Sequence, residues 1–361
     1  MKQIDLMYRT MTAELSERVF DASFSADFPI EGRFVPVTVK DRKYWYFDQP
    51  PEGAGHRQDR RYVGPADDPE INKRVENFRA IKDDAKTRRK YVSTLVREAG
   101  LPEPDRFSGN IIEALANAGI FRLRACLVGS VAFSAYGGLL GVRLPASSMR
   151  TGDADFAQDY AISSEVGDSL PPILEILQDV DPTFRPTMHR SGSPRPTGFV
   201  NRDGYKVEFL TGNRGSDDHM DKPADMPALG GVSAEPLRFL DFLIRDPVRA
   251  VMLHKSGVSV VVPDPCRYAV HKMIVASRRV VDTSGAAKRE KDLRQAVLLF
   301  EALDAANRRD DLADVAKEAW ERGEAWRYAI QAGMGYMPKR ERAATAALFR
   351  DLGINHEVTV P

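Results

Sequence analysis

The 361-residue chain carries 52 basic and 52 acidic side chains, 43% hydrophobic residues and only two cysteines, Cys126 and Cys266. This is the composition of a folded globular protein long enough for two or three units. A formal net charge of zero argues against coating nucleic acid by bulk charge, though not against a local basic groove. No apolar run approaches the roughly 18 residues that span a bilayer. The N-terminal stretch lacks an apolar signal core, and the cysteines do not make a disulfide framework. The cytoplasm is the expected compartment, with no membrane partner.

In chain order, Asp5 to Phe24 reads as a helix with Leu6, Met7, Met11, Leu15, Val19 and Phe20 on one side. Three β-type runs follow, RFVPVTV, KYWYF and RRYVGP, with a tight turn expected at Asp41-Arg42 and a longer loop over Gln49–Asp59. This meander is basic and aromatic. Its rings could stack bases while Lys and Arg hold phosphates. The simpler reading is that they pack against neighbouring helices.

Asp68 to Gly100 reads as one long charged helix opening after Pro65, and Ser108 to Ala118 as a shorter one. The basic run Lys86–Lys90 is taken as a solvated helix face. The apolar run Ala125–Val128 then ends at Gly129-Ser130, and a helix-like segment carries Phe133, Tyr136, Leu139 and Leu140. A loop around Leu144–Gly152 leads to Asp153-Ala154-Asp155. Leu170–Val180 is a further helix and Arg185–Arg195 a loop. A hairpin is expected with strands near Thr197–Asn201 and Tyr205–Leu210 about a turn at Asp203-Gly204. Asn213–Gly231 reads as a connection. RAVMLHKSGVSVVVP is a second hairpin turning at Ser256-Gly257, and the chain is helical from Arg267 almost to its end.

Chemistry concentrates in the middle of the chain. Two carboxylates separated by one residue on a strand share a face, because side chains alternate. Such a face suits divalent cations, which take hard oxygen ligands. A Gly-Ser turn between a strand and a helix can offer backbone N–H groups to a phosphate. Glu208 lies between the apolar Val207 and Phe209 just after the expected hairpin turn. Converging carboxylates of that kind hold paired metals, although an exposed strand acid would look the same. The six histidines and two cysteines show no zinc-site spacing. No P-loop and no G-x-S-x-G elbow occurs.

Gly129-Ser130, Asp153-x-Asp155 and a lone acid on a later strand resemble the polymerase-β-like nucleotidyltransferase superfamily. The wording GSVAFSAYGGLLGVRL…TGDADFA is similar to a bacterial branch of it. One departure is that Val131 to Gly152 intervene between the glycine and the Asp-x-Asp, more than that superfamily usually places there. Lys272 on one C-terminal helix, followed by Arg289-Glu-Lys291-Asp292 at the start of the next, resembles motifs of the abortive-infection nucleotidyltransferase toxins. There the lysines and arginine contact the triphosphate and the aspartate does base or positioning work. A lysine point charge and an arginine fork suit a triphosphate physically, while solvated helix charges would explain the same residues. Gln295 stands where those toxins often have a second aspartate, leaving that role open.

The resemblance implies an α/β (α+β) fold: a nucleotidyltransferase core with a mixed sheet, an N-terminal β-meander plus long helix, and a helical C-terminal region. The corresponding units are 1–105, 106–262 and 263–361. It implies nucleotidyl transfer from an NTP to an acceptor hydroxyl, with Asp153, Asp155 and Glu208 as catalytic and metal-binding carboxylates for two Mg2+ (or Mn2+). Gly129, Ser130, Lys272, Arg289, Lys291 and Asp292 are the expected nucleotide contacts. An RNA end such as tRNA is the expected acceptor, with a protein or small-molecule hydroxyl as alternatives. A neutralising antitoxin-like protein is an expected partner. The rival is a non-catalytic nucleotide- or RNA-binding protein on the same fold.

Overall fold

The structure is a computed structural model that describes residues 1–28, 32–39, 41–48, 60–78, 85–145, 152–213, 222–279, 282–351 and 353–354. Helix α1 (Leu6–Asp27) leads into strands β1 (Arg33–Val39), β2 (Arg42–Asp48) and β3 (Arg60–Pro65), an antiparallel meander in the order β1-β2-β3. Val39 pairs with Arg42 and Asp41 takes φ 63°. The reversal therefore falls before Arg42, one residue earlier than expected. Alternation gives the meander two apolar faces. Phe34, Phe47 and Val63 pack with Phe24 of α1 and with Phe28 just after it, while Tyr46 and Tyr62 face the main core. Trp45 donates its ring N–H to Asn72 Oδ1 at 2.7 Å. Packing therefore accounts for the first face.

Helices α2 (Pro69–Asn77) and α3 (Ala85–Arg97) stand where one long helix was expected, with residues 79–84 outside those described. Asp68 caps α2 by accepting from Glu70 N (2.9 Å) and Ile71 N (3.2 Å), and Pro69 occupies the first turn, where its missing N–H costs nothing. Helix α1 buries Leu15 and Val19 with Val92 and Leu95 of α3.

The core runs α4 (Arg106–Asn117), β4 (Cys126–Val128), α5 (Gly129–Leu140), β5 (Asp153–Ala157), α6 (Tyr160–Glu165) and α7 (Ile173–Val180). It continues through β6 (Arg185–Thr187), β7 (Gly198–Val200), β8 (Lys206–Gly212), β9 (Ala224–Met226) and β10 (Val232–Leu237). These strands form a mixed sheet in the order β4-β5-β8-β10-β9, with β7 also on β8 and β6 on β7. β5–β8 and β8–β10 are parallel, whereas β4–β5, β7–β8 and β9–β10 are antiparallel.

Two segments expected as irregular contribute strands: β6 lies in the Pro- and Arg-rich stretch, and β9 in the 213–231 connection. Both are three residues long, too short for alternation to register. The loops expected at 49–59 and over most of 144–152 lie outside the described residues, as do residues 214–221 of the connection.

After α8 (Leu240–Leu243), the hairpin β11 (Val248–Met252) and β12 (Val258–Val262) turns about Lys255-Ser256, one residue earlier than expected. Gly257 N bonds His254 O at 2.8 Å, and Lys255 takes φ 51°. Helices α9 (Pro265–Ala276), α10 (Thr283–Ala305), α11 (Arg309–Glu321), α12 (Glu324–Gly335) and α13 (Lys339–Asp351) complete the chain. A continuous apolar cluster runs from Tyr46 to Ile354, so side chains from all three expected segments enter it. Among the described residues no helix is long and apolar enough to cross a membrane.

Candidate active site

The sheet register assembles the carboxylates. β5 and β8 are parallel, with Asp155 opposite Glu208 and Asp153 opposite Lys206. Direct partners on neighbouring strands project to the same face. Asp153, Asp155 and Glu208 therefore share one face, while Ala154, Phe156, Val207 and Phe209 are fully buried on the other. All three acids are half-buried. On the far side of β8, Gly198 pairs with Glu208, and a Cβ there would come within 2.7 Å of Val207 O. Only glycine lets β7 approach Glu208 so closely.

Gly129 closes the face from β4. Val128 pairs with Asp155, and the chain then turns directly into α5 with Gly129 at φ 68°. A Cβ at this position would collide with the Asp155 carboxylate. Backbone conformation and close approach both require glycine here. Ser130 is half-buried in the first turn of α5.

The electrostatics of this face are unbalanced. Burial, then the neighbouring Asp153 and Glu208 charges, push the Asp155 carboxyl up to about 7, with Lys272 and Arg279 offsetting part of the rise. Burial likewise raises Glu208, opposed by Lys206 and Lys288 and reinforced by Asp153 and Glu235. On this face burial and like charge outweigh the nearby cations.

Helices α9 and α10 stand behind the Gly129 turn. Tyr268 donates its hydroxyl to Gly129 O at 2.8 Å, and Lys272 Nζ lies 5.3 Å from the Tyr268 ring centroid. Lys272 reaches Asp292 Oδ1 at 2.6 Å, while Arg279 reaches Asp292 Oδ2 at 2.8 Å. Burial acts against the Lys272 ammonium, but Asp292 outweighs it and holds Lys272 above its ordinary value. Burial likewise opposes the Asp292 charge, yet Lys272 and Arg279 keep its carboxyl low. Gln295 is buried beside Tyr268, with its Oε1 3.2 Å from that hydroxyl. The position that is often aspartate in the resembled toxins is here part of the packing.

The expected nucleotide contacts thus divide. Lys291 sits beside the carboxylates: burial and Lys272 lower it, while Asp153 and Asp155 oppose that. Lys272 and Asp292 form a buried pair whose cation still acts on Asp155. Arg289 is committed elsewhere. It donates to Ala276 O (3.2 Å) and Arg279 O (2.8 Å) and lies 4.2 Å from the Tyr336 ring centroid. It holds the α9–α10 junction. Sequence reasoning missed Arg279 and Lys288. Lys288 stands three residues before Lys291 on α10, a helical spacing that could have flagged it.

Among the described residues no three His, Cys, Asp or Glu side chains form a closed cation-binding set. The donors present are nevertheless hard oxygens whose ionised form is disfavoured by burial and by one another. That suits Mg2+, which is typically held by one or two carboxylates together with substrate phosphates.

The family model described as Nucleotidyltransferase matches residues 106–321, from the start of α4 to the end of α11. No curated protein and no solved structure matches the chain. The matched stretch covers more than half of the 361 residues and contains every candidate site residue. The chain belongs to the nucleotidyltransferase family.

Proposed function

We propose that the chain transfers a nucleotidyl group from an NTP to an acceptor hydroxyl, in a divalent-metal-dependent reaction on the face of β5 and β8. The observation that carries this reading is the pairing of Asp155 with Glu208, with Gly129 backbone pressed against the Asp155 carboxylate. Asp153, Asp155 and Glu208 would hold Mg2+ or Mn2+. When bound, the metal lowers the acceptor's pKa and offsets charge on the departing pyrophosphate.

The chain's own residues position the substrate. The first turn of α5, with Gly129 and Ser130, presents backbone N–H groups to phosphate. Lys291 and Lys288 on α10 supply positive charge beside the carboxylates, and Arg279 adds to it while paired with Asp292. In the transfer, the acceptor oxygen bonds to the α-phosphorus as the bond to pyrophosphate breaks, and the hydroxyl proton is released to water. Rate enhancement rests on positioning and preorganised charge.

The proposed acceptor is an RNA end, as in the toxins that the C-terminal motifs resemble. In that setting the protein acts in the cytoplasm and is neutralised by a cognate protein. The test is pyrophosphate release from each labelled NTP with magnesium and total cellular RNA, beside an Asp153→Ala/Asp155→Ala control. Label entering RNA only with the intact chain supports the proposal and names the nucleotide. Label entering protein or a small molecule corrects the acceptor. NTP binding with no transfer to any acceptor overturns catalysis in favour of a nucleotide-binding protein.

A further inference from the structure

The second face of the meander does not close fully on the core. Between them lies a cavity of about 360 Å3, lined by Arg42, Tyr44, Tyr46 and Tyr62 from the meander and by Arg124 and Glu165 from the core. Its volume falls in the range of small-molecule sites. The tyrosines make one aromatic wall: Tyr44 and Tyr62 have ring centroids 6.0 Å apart, and Tyr46 and Tyr62 5.6 Å apart and nearly perpendicular. A neighbouring cleft of about 620 Å3 shares Tyr62 and Arg124, so a ligand longer than this cavity has room.

The charges are placed for an anion attached to a ring. Arg124 takes φ 65°, a conformation rare for a side-chain-bearing residue. Its backbone is held there by bonds from Arg124 N to Phe121 O and from Ala125 N to Ile120 O. Arg122, two residues earlier, is spent on Asp168 at 2.5 Å and on Tyr62 O at 2.7 Å. Arg124 instead lines the cavity beside the Tyr62 side chain, where its charge opposes the rise that burial imposes on the Tyr62 hydroxyl. Arg42 is exposed and lines the same cavity. Glu165, at the end of α6, supplies an acceptor for ring N–H or amino groups.

This cavity is separate from the carboxylate face. Gly129 follows the C-terminal end of β4, whereas Arg124 precedes its N-terminal end. β5 runs antiparallel, from Asp153 at the site toward α6 and Glu165. The five extended residues of β5 put roughly 13 Å between Asp153 and Ala157, the end that leads to α6.

We infer that this cavity is a second nucleotide site, in which Tyr44 stacks a nucleobase beside Tyr46 and Tyr62, Arg42 and Arg124 hold its phosphate, and Glu165 accepts from the base edge. Stacking tolerates any base, because each has a π face, and arginine adds phosphate and cation–π contacts. Free mononucleotide and a nucleotide of single-stranded RNA present the same chemistry.

Equilibrium dialysis of the full chain with EDTA present tests this without depending on catalysis. The probes are the four labelled nucleoside 5′-monophosphates and a short mixed-sequence single-stranded RNA. The expected result is binding that weakens roughly tenfold or more in Tyr44→Ala and in Arg42→Glu, and that Asp155→Asn leaves unchanged. Binding of free monophosphates marks an effector site, and binding of RNA alone marks an anchor for a strand. Arg42 is exposed, so Arg42→Glu decides the matter if Tyr44→Ala fails to fold. The inference is overturned if neither probe binds, if Arg42→Glu binds as the intact chain does, or if Asp155→Asn alone abolishes binding.

Discussion

The carboxylates on the sheet and the Lys272–Asp292–Arg279 cluster on the helices meet at Gly129, and they differ in how charge is balanced. On the sheet, burial and then two acidic neighbours push Asp155 up to about 7. Behind it, Asp292 is buried between two cations, and burial, the largest influence on both Lys272 and Asp292, is outweighed by the pairing. A balanced buried cluster is complete as it stands. An unbalanced one carries a cost until a cation arrives. The two clusters therefore differ in what burial does to their charges, although their motifs look equally charged in the sequence.

The largest expected effect lies in the balanced cluster. Asp292→Ala leaves Lys272 and Arg279 without their shared carboxylate, and breaking a buried pair on one side costs about 3–5 kcal/mol. Urea unfolding measures this directly. A loss below about 1 kcal/mol would show that the pair behaves as a solvated one and would dissolve the contrast.

The next effect concerns pH. The folded Asp155 carboxyl is raised from its ordinary 3.8 to about 7. The native state therefore binds more protons than the unfolded chain in that window, and stability falls as pH rises from about 4 to 7. In metal-free protein at pH 8, Asp155→Asn should be more stable than the parent by up to about 4 kcal/mol, with the gap closing toward pH 4. The helical cluster should contribute no slope there. Lys272 is raised from 10.5, so its stabilisation is present below that value and lost only as pH rises through its folded value. Asp292 is lowered from 3.8, so its stabilisation is lost only as pH falls through its folded value. A gap independent of pH between 5 and 8 would refute the assignment to Asp155.

The smallest effect on stability is at the joint. Gly129→Ala forces a left-handed conformation, at about 1–2 kcal/mol, and drives a Cβ into the Asp155 carboxylate. Thermal unfolding should show that modest loss while nucleotidyl transfer falls further. A variant with undiminished transfer would break the link between the turn and the site.

Much of this was legible locally. Alternation put Asp153 and Asp155 on one face, and the hairpin of β7 and β8 put Glu208 on a strand between two buried residues. The Gly129-Ser130 junction between a strand and a helix was readable because turns and caps are written in neighbouring residues. The helical C-terminal region followed from periodicity.

Tertiary structure decided the rest. The pairing of Asp155 with Glu208 depends on the register of two parallel strands distant in sequence, which no local pattern encodes. Arg289 and Lys291 lie two positions apart on one helix and therefore face different ways, one onto the α9–α10 junction and the other toward the carboxylates. Arg279 and Lys288 gained roles only when α9 and α10 packed together. The sequence by itself determined which residues carry charge and which local face each one takes. The packing decided which charges are paired and which are buried beside like charge, because burial and neighbouring charge belong to the folded chain alone.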